Sequence, residues 1–156
     1  MWRHVPRGAE PLHYGFLLRA TGRWNRQGRY GCLYCALSAS GALAEYRKAV
    51  ERGILQSLSP RELISICVVR VSTVLDLTDP GERRAFRITM ATIRSDDAAA
   101  IEACRAVADH ARAEGYRALL APSAARGGGV NLVIYVDAPA AELELENGPD
   151  RRLIKQ

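Results

Sequence analysis

A chain of 156 residues, 48% hydrophobic and 25% charged, has the size to bury one core and lies far from the composition of disordered chains. No apolar run approaches the roughly 18 residues of a membrane span, and Arg3, Arg7, Glu10 and Arg19 interrupt any signal-peptide core, so one cytoplasmic domain over residues 1–156 is expected. The formal charge of +5 favours an anionic partner: nucleotide, nucleic acid or an acidic protein surface.

That charge is uneven, because residues 1–30 hold six arginines against the single acid Glu10 and the remainder is close to neutral. Residues 1–29 lack periodicity and read as irregular backbone around a short strand at "WRHV". "YGCLYCAL" (30–37) is apolar and aromatic enough for a strand. Ser38 or Ser40 then offers an N-cap for a helix with Ala42, Leu43, Tyr46 and Val50 on one face, stopping at Gly53.

"LISICVVRVSTVLDL" (63–77) is the strongest β stretch and is expected to end at "DPGERRAF". From an Asp96 or Asp97 cap, Ile101, Cys104, Ala108 and Ala111 recur at helical spacing up to Gly115. "YRALLAP" (116–122) and "VNLVIYV" (130–136) read as strands around the "PSAARGGG" loop, and "AELELE" (141–146) alternates as a half-exposed strand. The expected architecture is α+β, one domain, with several antiparallel strands and a few helices.

Cys32-Leu-Tyr-Cys35 has the spacing of half a zinc site, but no second pair follows, and strand residues three apart face opposite ways. Cys32, Cys35, Cys67 and Cys104 are therefore read as reduced thiols rather than a disulfide framework. His4, His13 and His110 have no partner at ligand spacing, so no metal site is expected. The arginines interleaved with Trp, Tyr and Phe in residues 1–30 also suit a single-strand nucleic-acid surface. Arg outnumbers Lys throughout, however, which makes part of that signal compositional. Glu45 sits near a helix start, where the macrodipole favours any carboxylate; its place after an aromatic strand, beyond an Arg-rich loop and behind "Ala-Leu-Ala", sets it apart. Ser123 on spacing alone reads as a turn residue.

The order "GRWN…LY…ALAE" followed far downstream by "YRALLAPSA…GGGVNLVIY" resembles the RES domain, over roughly residues 2–137. The resemblance implies that the family's arginine, tyrosine, glutamate and serine are Arg23, Tyr34, Glu45 and Ser123. It also implies a fold like that of ADP-ribosyltransferases, and the toxin role in a type II toxin–antitoxin pair with an Xre-type helix-turn-helix antitoxin. The implied activity is cleavage of NAD⁺ at the nicotinamide–ribose bond, with NAD⁺ as substrate and no separate cofactor. On that reading Glu45 supports the oxocarbenium-like ribose, Arg23 grips the pyrophosphate, and Tyr34 and Ser123 orient nicotinamide or ribose. Trp24 either stacks on the substrate or anchors the core. Water, phosphate or a protein side chain as acceptor stay open, the last giving a mono-ADP-ribosyltransferase. A nucleic-acid-binding module is the alternative from another class.

Overall fold

Among the described residues, seven strands share one sheet: β1 (Trp2–Pro6), β2 (Cys32–Ala36), β3 (Arg61–Val71), β4 (Val74–Asp76), β5 (Ala118–Pro122), β6 (Val130–Tyr135) and β7 (Leu143–Leu153). The structure, a computed structural model, describes residues 1–12, 15, 17–55, 60–125, 127–137 and 141–154; His13 lies outside them. The strand order is β4-β5-β6-β2-β1-β3-β7, antiparallel throughout except for the parallel pair β4·β5. Helices α1 (Ala39–Glu51), α2 (Pro80–Ala85), α3 (Met90–Arg94) and α4 (Ala98–Ala113) complete the α+β architecture. None of the described helices is long and apolar enough to cross a membrane.

The stretch 63–77 is two strands rather than one. β3 pairs with β1 and β7, while β4 pairs with β5 at the far end of the order. Only Ser72 and Thr73 separate them. Ser72 N–H bonds Glu142 O at 3.0 Å, and Thr73 O accepts from Arg117 N at 2.9 Å, so the sheet curls until its two ends nearly meet. Backbone bonding decides this break, which apolar patterning does not signal. "DPGERRAF" also does more than break a strand: Asp79 Oδ1 accepts from the N–H groups of Gly81 (2.6 Å) and Glu82 (3.0 Å), and Pro80 takes the first helical position, so α2 forms.

β7 extends well beyond "AELELE", through Asn147-Gly148-Pro149 to Leu153, with a register shift opposite Ile64–Ile66. Gly148 permits this because a Cβ there would lie 2.8 Å from Ser65 Cβ, while Ser65 Oγ takes up Asp150 N–H at 2.9 Å.

Apolar side chains fill both faces of the sheet. On one, α3 and α4 cover Cys32, Leu119, Val133 and Tyr135 through Ile93 and Ala108. On the other, Leu33, Cys35, Ile66, Leu132 and Ile134 pack with Leu17. Cys32 and Cys35 thus face opposite ways, both as free thiols. A smaller cluster of Ala36, Ala42 and Leu63, with Trp2 and Leu43 against it, seats α1 on β1–β3. Register puts Ala36 on the same face as Cys32 and Tyr34, so α1 and the α3–α4 pair stand side by side over that face with β2 and β6 between them.

Candidate active site

Ser38 caps α1 by accepting Gly41 N–H at 3.0 Å, which fixes the helix directly after β2 and carries Glu45 to its second turn. The β5–β6 hairpin brings the partners: Ser123 follows the end of β5, and Asn131 is the second residue of β6. Ser123 N–H bonds Gly129 O at 2.8 Å and closes the hairpin loop. Glu45 Oε1 accepts Ser123 Oγ–H at 2.7 Å and Asn131 Nδ2–H at 2.6 Å. The Ser123 hydroxyl proton points at Glu45 while its oxygen receives Ala125 N–H at 3.1 Å. Ser123 is 2% exposed. Asn131 stands opposite Ala36 and Ala121 in the flanking strands, two small residues that leave space for a polar group.

Tyr34 lies two residues from Ala36 and on the same face. Its hydroxyl donates to Asn25 Oδ1 and accepts Trp24 N–H, both at 2.9 Å. Burial pushes its pKa well above the usual phenol range, so it stays a donor. Together with the Gly22–Asn25 bridge it pins the loop that carries Arg23. Gly22 is required here: a Cβ would lie 2.7 Å from Asn25 Oδ1 and collide with Tyr34 Oη. Tyr34 thereby acts on the loop through its hydroxyl.

Arg23 donates to Ser95 O (2.5 Å) and Asp96 Oδ1 (2.7 Å) and is 13% exposed. Asp96 also takes Lys48 Nζ at 2.8 Å and Arg52 Nη1 at 3.1 Å. Burial works to raise the Asp96 pKa, but the Lys48 hydrogen bond and the charges of Lys48, Arg52 and Arg23 hold it below the usual carboxylate range. Lys48 Nζ donates onward to Ala124 O at 2.9 Å. A continuous polar chain therefore runs from Arg23 through Asp96 and Lys48 to the Ser123 turn, then to Glu45 and Asn131. Beside it a cavity of about 560 Å³ has Ala44, Arg47, Lys48, Glu51, Arg52 and Asp96 among its lining residues, a volume in the range of small-ligand sites. Glu45 is one residue from its wall.

Trp24, 3% exposed, packs in the core with Tyr30 and Cys32, which makes it an anchor rather than a stacking surface. Nor do the loop arginines surround Glu45. Arg26 pairs with Glu102 (2.5 Å) and Asp109 (2.8 Å) of α4, Arg29 pairs with Asp109 at 3.3 Å, and Tyr30 Oη donates to Asp109 at 2.7 Å. Much of the local positive charge is neutralised by one helix, and Trp24 and Tyr30 are buried, so these residues do not form the stacking platform that a nucleic-acid surface needs. His4 stacks edge-on with Tyr46 at 5.5 Å and accepts Arg61 Nε–H at 3.1 Å. Burial, with Arg61 and Arg3 nearby, lowers its pKa to about 3. His110 packs by Phe86, ring centres 5.4 Å apart.

The site also contains Asn131, Lys48 and Asp96, which sequence reasoning missed. An asparagine inside the apolar run "VNLVIY" was the available signal, since Asn is depleted from strands. Lys48 lay in plain view three residues after Glu45, one helical turn on.

No curated protein matches the chain. Among solved structures it is similar to a chain of the crystal structure of the M. tuberculosis MbcT–MbcA toxin–antitoxin complex, at 24% identity and a TM-score of 0.78, covering 98% of this chain and 82% of that one. At that identity the likeness shows a shared fold. The RES domain family matches residues 1–156, and four residues taken from widely separated motifs lie along one polar chain or pin the loop that feeds it. The match spans the whole sequence rather than its motifs alone, and the chain belongs to the RES domain family.

Proposed function

We propose that this protein is a toxin that degrades NAD⁺ by breaking the nicotinamide–ribose bond and is held inactive by an Xre-type helix-turn-helix antitoxin. The observation that carries the reading is the Glu45 carboxylate, fixed by two donors on one oxygen next to Ala44, which lines a cavity where Arg47, Lys48 and Arg52 stand with Glu51 and Asp96. Family membership and the fold shared with a chain of a toxin–antitoxin complex support it.

Nicotinamide leaves NAD⁺ as a neutral ring from a cationic one, so no acid is needed to expel it. The barrier lies in the positive charge that develops on the ribose. A carboxylate already oriented and desolvated in part gains interaction as that charge grows, which is the condition for lowering a barrier rather than merely binding. Ser123 and Asn131 remove the cost of orienting it. Ser123→Ala leaves Glu45 one donor short, and a hydrogen bond to a charged group is worth about 1.5–3 kcal/mol. The expected result is a fall in kcat of roughly 10- to 100-fold with KM nearly constant, read from steady-state NAD⁺ consumption.

The pyrophosphate belongs among Arg23, Lys48 and Arg52. Asp96 pairs with all three cations, so the substrate's phosphates would compete with it for them. Arg23 then presents its planar guanidinium as a fork to phosphate oxygens. Asp96→Asn removes the competing anion, and KM for NAD⁺ should fall several-fold at low salt, with the gain shrinking as salt screens it. An unchanged or higher KM in a folded variant places the phosphates elsewhere. Water, phosphate and a protein side chain as acceptor share this first step. Expression without the antitoxin tests the whole reading: growth stops as cellular NAD⁺ falls, and co-expression of the partner restores both. Growth and NAD⁺ that stay normal in cells containing folded protein oppose it.

A further inference from the structure

We infer that Asn131 is a positioning residue for Glu45, kept at the expense of fold stability. The inference rests on the reading of Glu45 as the group that acts on the substrate. Three observations carry it. Asn131 Nδ2 donates to Glu45 Oε1 at 2.6 Å. Its amide orientation is fixed, since turning the amide over would set a carbonyl oxygen against a carboxylate oxygen. Its own Oδ1 is buried and, among the described residues, has no hydrogen-bond partner.

A buried acceptor without a partner is rare in folded proteins and destabilising. Asn is a poor strand residue, and here it stands between Ala36 and Ala121 in a sheet whose next residues on that face are Val133 and Tyr135. Local packing therefore gives no reason for an amide at this position, whereas Glu45 does. Departures from the best-packing residue of this kind concentrate where a chain trades stability for function. The Ser123 bond alone leaves the carboxylate free to swing about one contact. A second donor, from a different strand and ending on the same oxygen, fixes its direction.

Asn131→Leu, which keeps the branched outline with a larger apolar side chain beside the small Ala36 and Ala121, separates the two roles. It removes the orphaned acceptor and restores an apolar strand, so Tm should hold or rise. It also removes one charge-assisted bond, so kcat for NAD⁺ consumption should drop roughly 10- to 100-fold with KM within about threefold. Asn131→Asp should put a second carboxylate against Glu45, so that the pair shares a proton and the acid limb of the pH–rate profile moves to higher pH. Asn131→Gln, which keeps the donor on a longer stem, should recover part of the lost rate. A crystal structure of the Leu variant gives a readout free of substrate: the Glu45 side chain should adopt more than one conformer. A Leu variant that melts well below wild type, or one that keeps full kcat with Glu45 in a single unchanged conformer, overturns the inference. If wild type consumes no NAD⁺, the proposed function fails, while Tm and the Glu45 conformer still decide the role of Asn131.

Discussion

Glu45→Gln should lower kcat for NAD⁺ cleavage by something on the order of 10² to 10³, the loss seen when one preorganised electrostatic contact is removed from a reacting centre. Glutamine keeps the length of the side chain, and its Oε1 still accepts from Ser123 Oγ and Asn131 Nδ2, 2.7 and 2.6 Å away in the native site. The helix is undisturbed, because its cap is Ser38. What disappears is the negative charge, and with it the interaction that strengthens as the ribose turns cationic. KM should change little if, as proposed, the phosphates bind at Arg23, Lys48 and Arg52. Parallel thermal melts and initial rates check the point, and a folded Gln variant with near-normal turnover would remove the carboxylate from the mechanism.

Trp24→Ala should cost about 3–5 kcal/mol of stability, the usual range for emptying a buried aromatic position. For a domain of this size that is a fall in Tm of roughly 6–20 °C. The side chain is 3% exposed and packs with Tyr30 and Cys32, while its backbone N–H is the group that Tyr34 Oη holds. A tryptophan that instead stacked on substrate would show the reverse pattern: a raised KM with an unchanged melt. Differential scanning fluorimetry alongside KM, at a temperature where the variant is folded, distinguishes the two.

Much of the frame was legible because single-element signals agreed with the tertiary result. Ser38 caps α1 as its hydroxyl suggests, and Tyr46 and Ala42 turn to the core as the helical period requires. Cys104, Ala108 and Ala111 mark the buried side of α4. What stayed hidden depends on distant groups. Nothing near Ser72 says that β3 must end there; Glu142, 70 residues away, supplies the reason. The passage of β7 through Gly148-Pro149 depends on Ser65 in the neighbouring strand. In the site, Ser123 and Glu45 are 78 residues apart, and only the resemblance linked them. Asp96 was visible as a helix cap, yet α4 starts one residue later and Asp96 serves Arg23, Lys48 and Arg52 instead. Six arginines in residues 1–30 suggested an open cationic surface for an anionic partner. Acids of α4 that share no local pattern with them bind Arg26 and Arg29.

On the proposed mechanism the Glu45 carboxylate, held by Ser123 and Asn131, stabilises the ribose cation as the nicotinamide–ribose bond breaks. Mass spectrometry of NAD⁺ incubated with purified protein, with and without phosphate, and with Glu45→Gln in parallel, tests it most directly. Free nicotinamide should appear in step with NAD⁺ loss in the wild type, with the remaining ADP-ribose unit carrying water, phosphate or a protein side chain, and should nearly vanish in the Gln variant. NAD⁺ left intact by folded wild-type protein, or cut at the pyrophosphate with no nicotinamide released, would contradict the account.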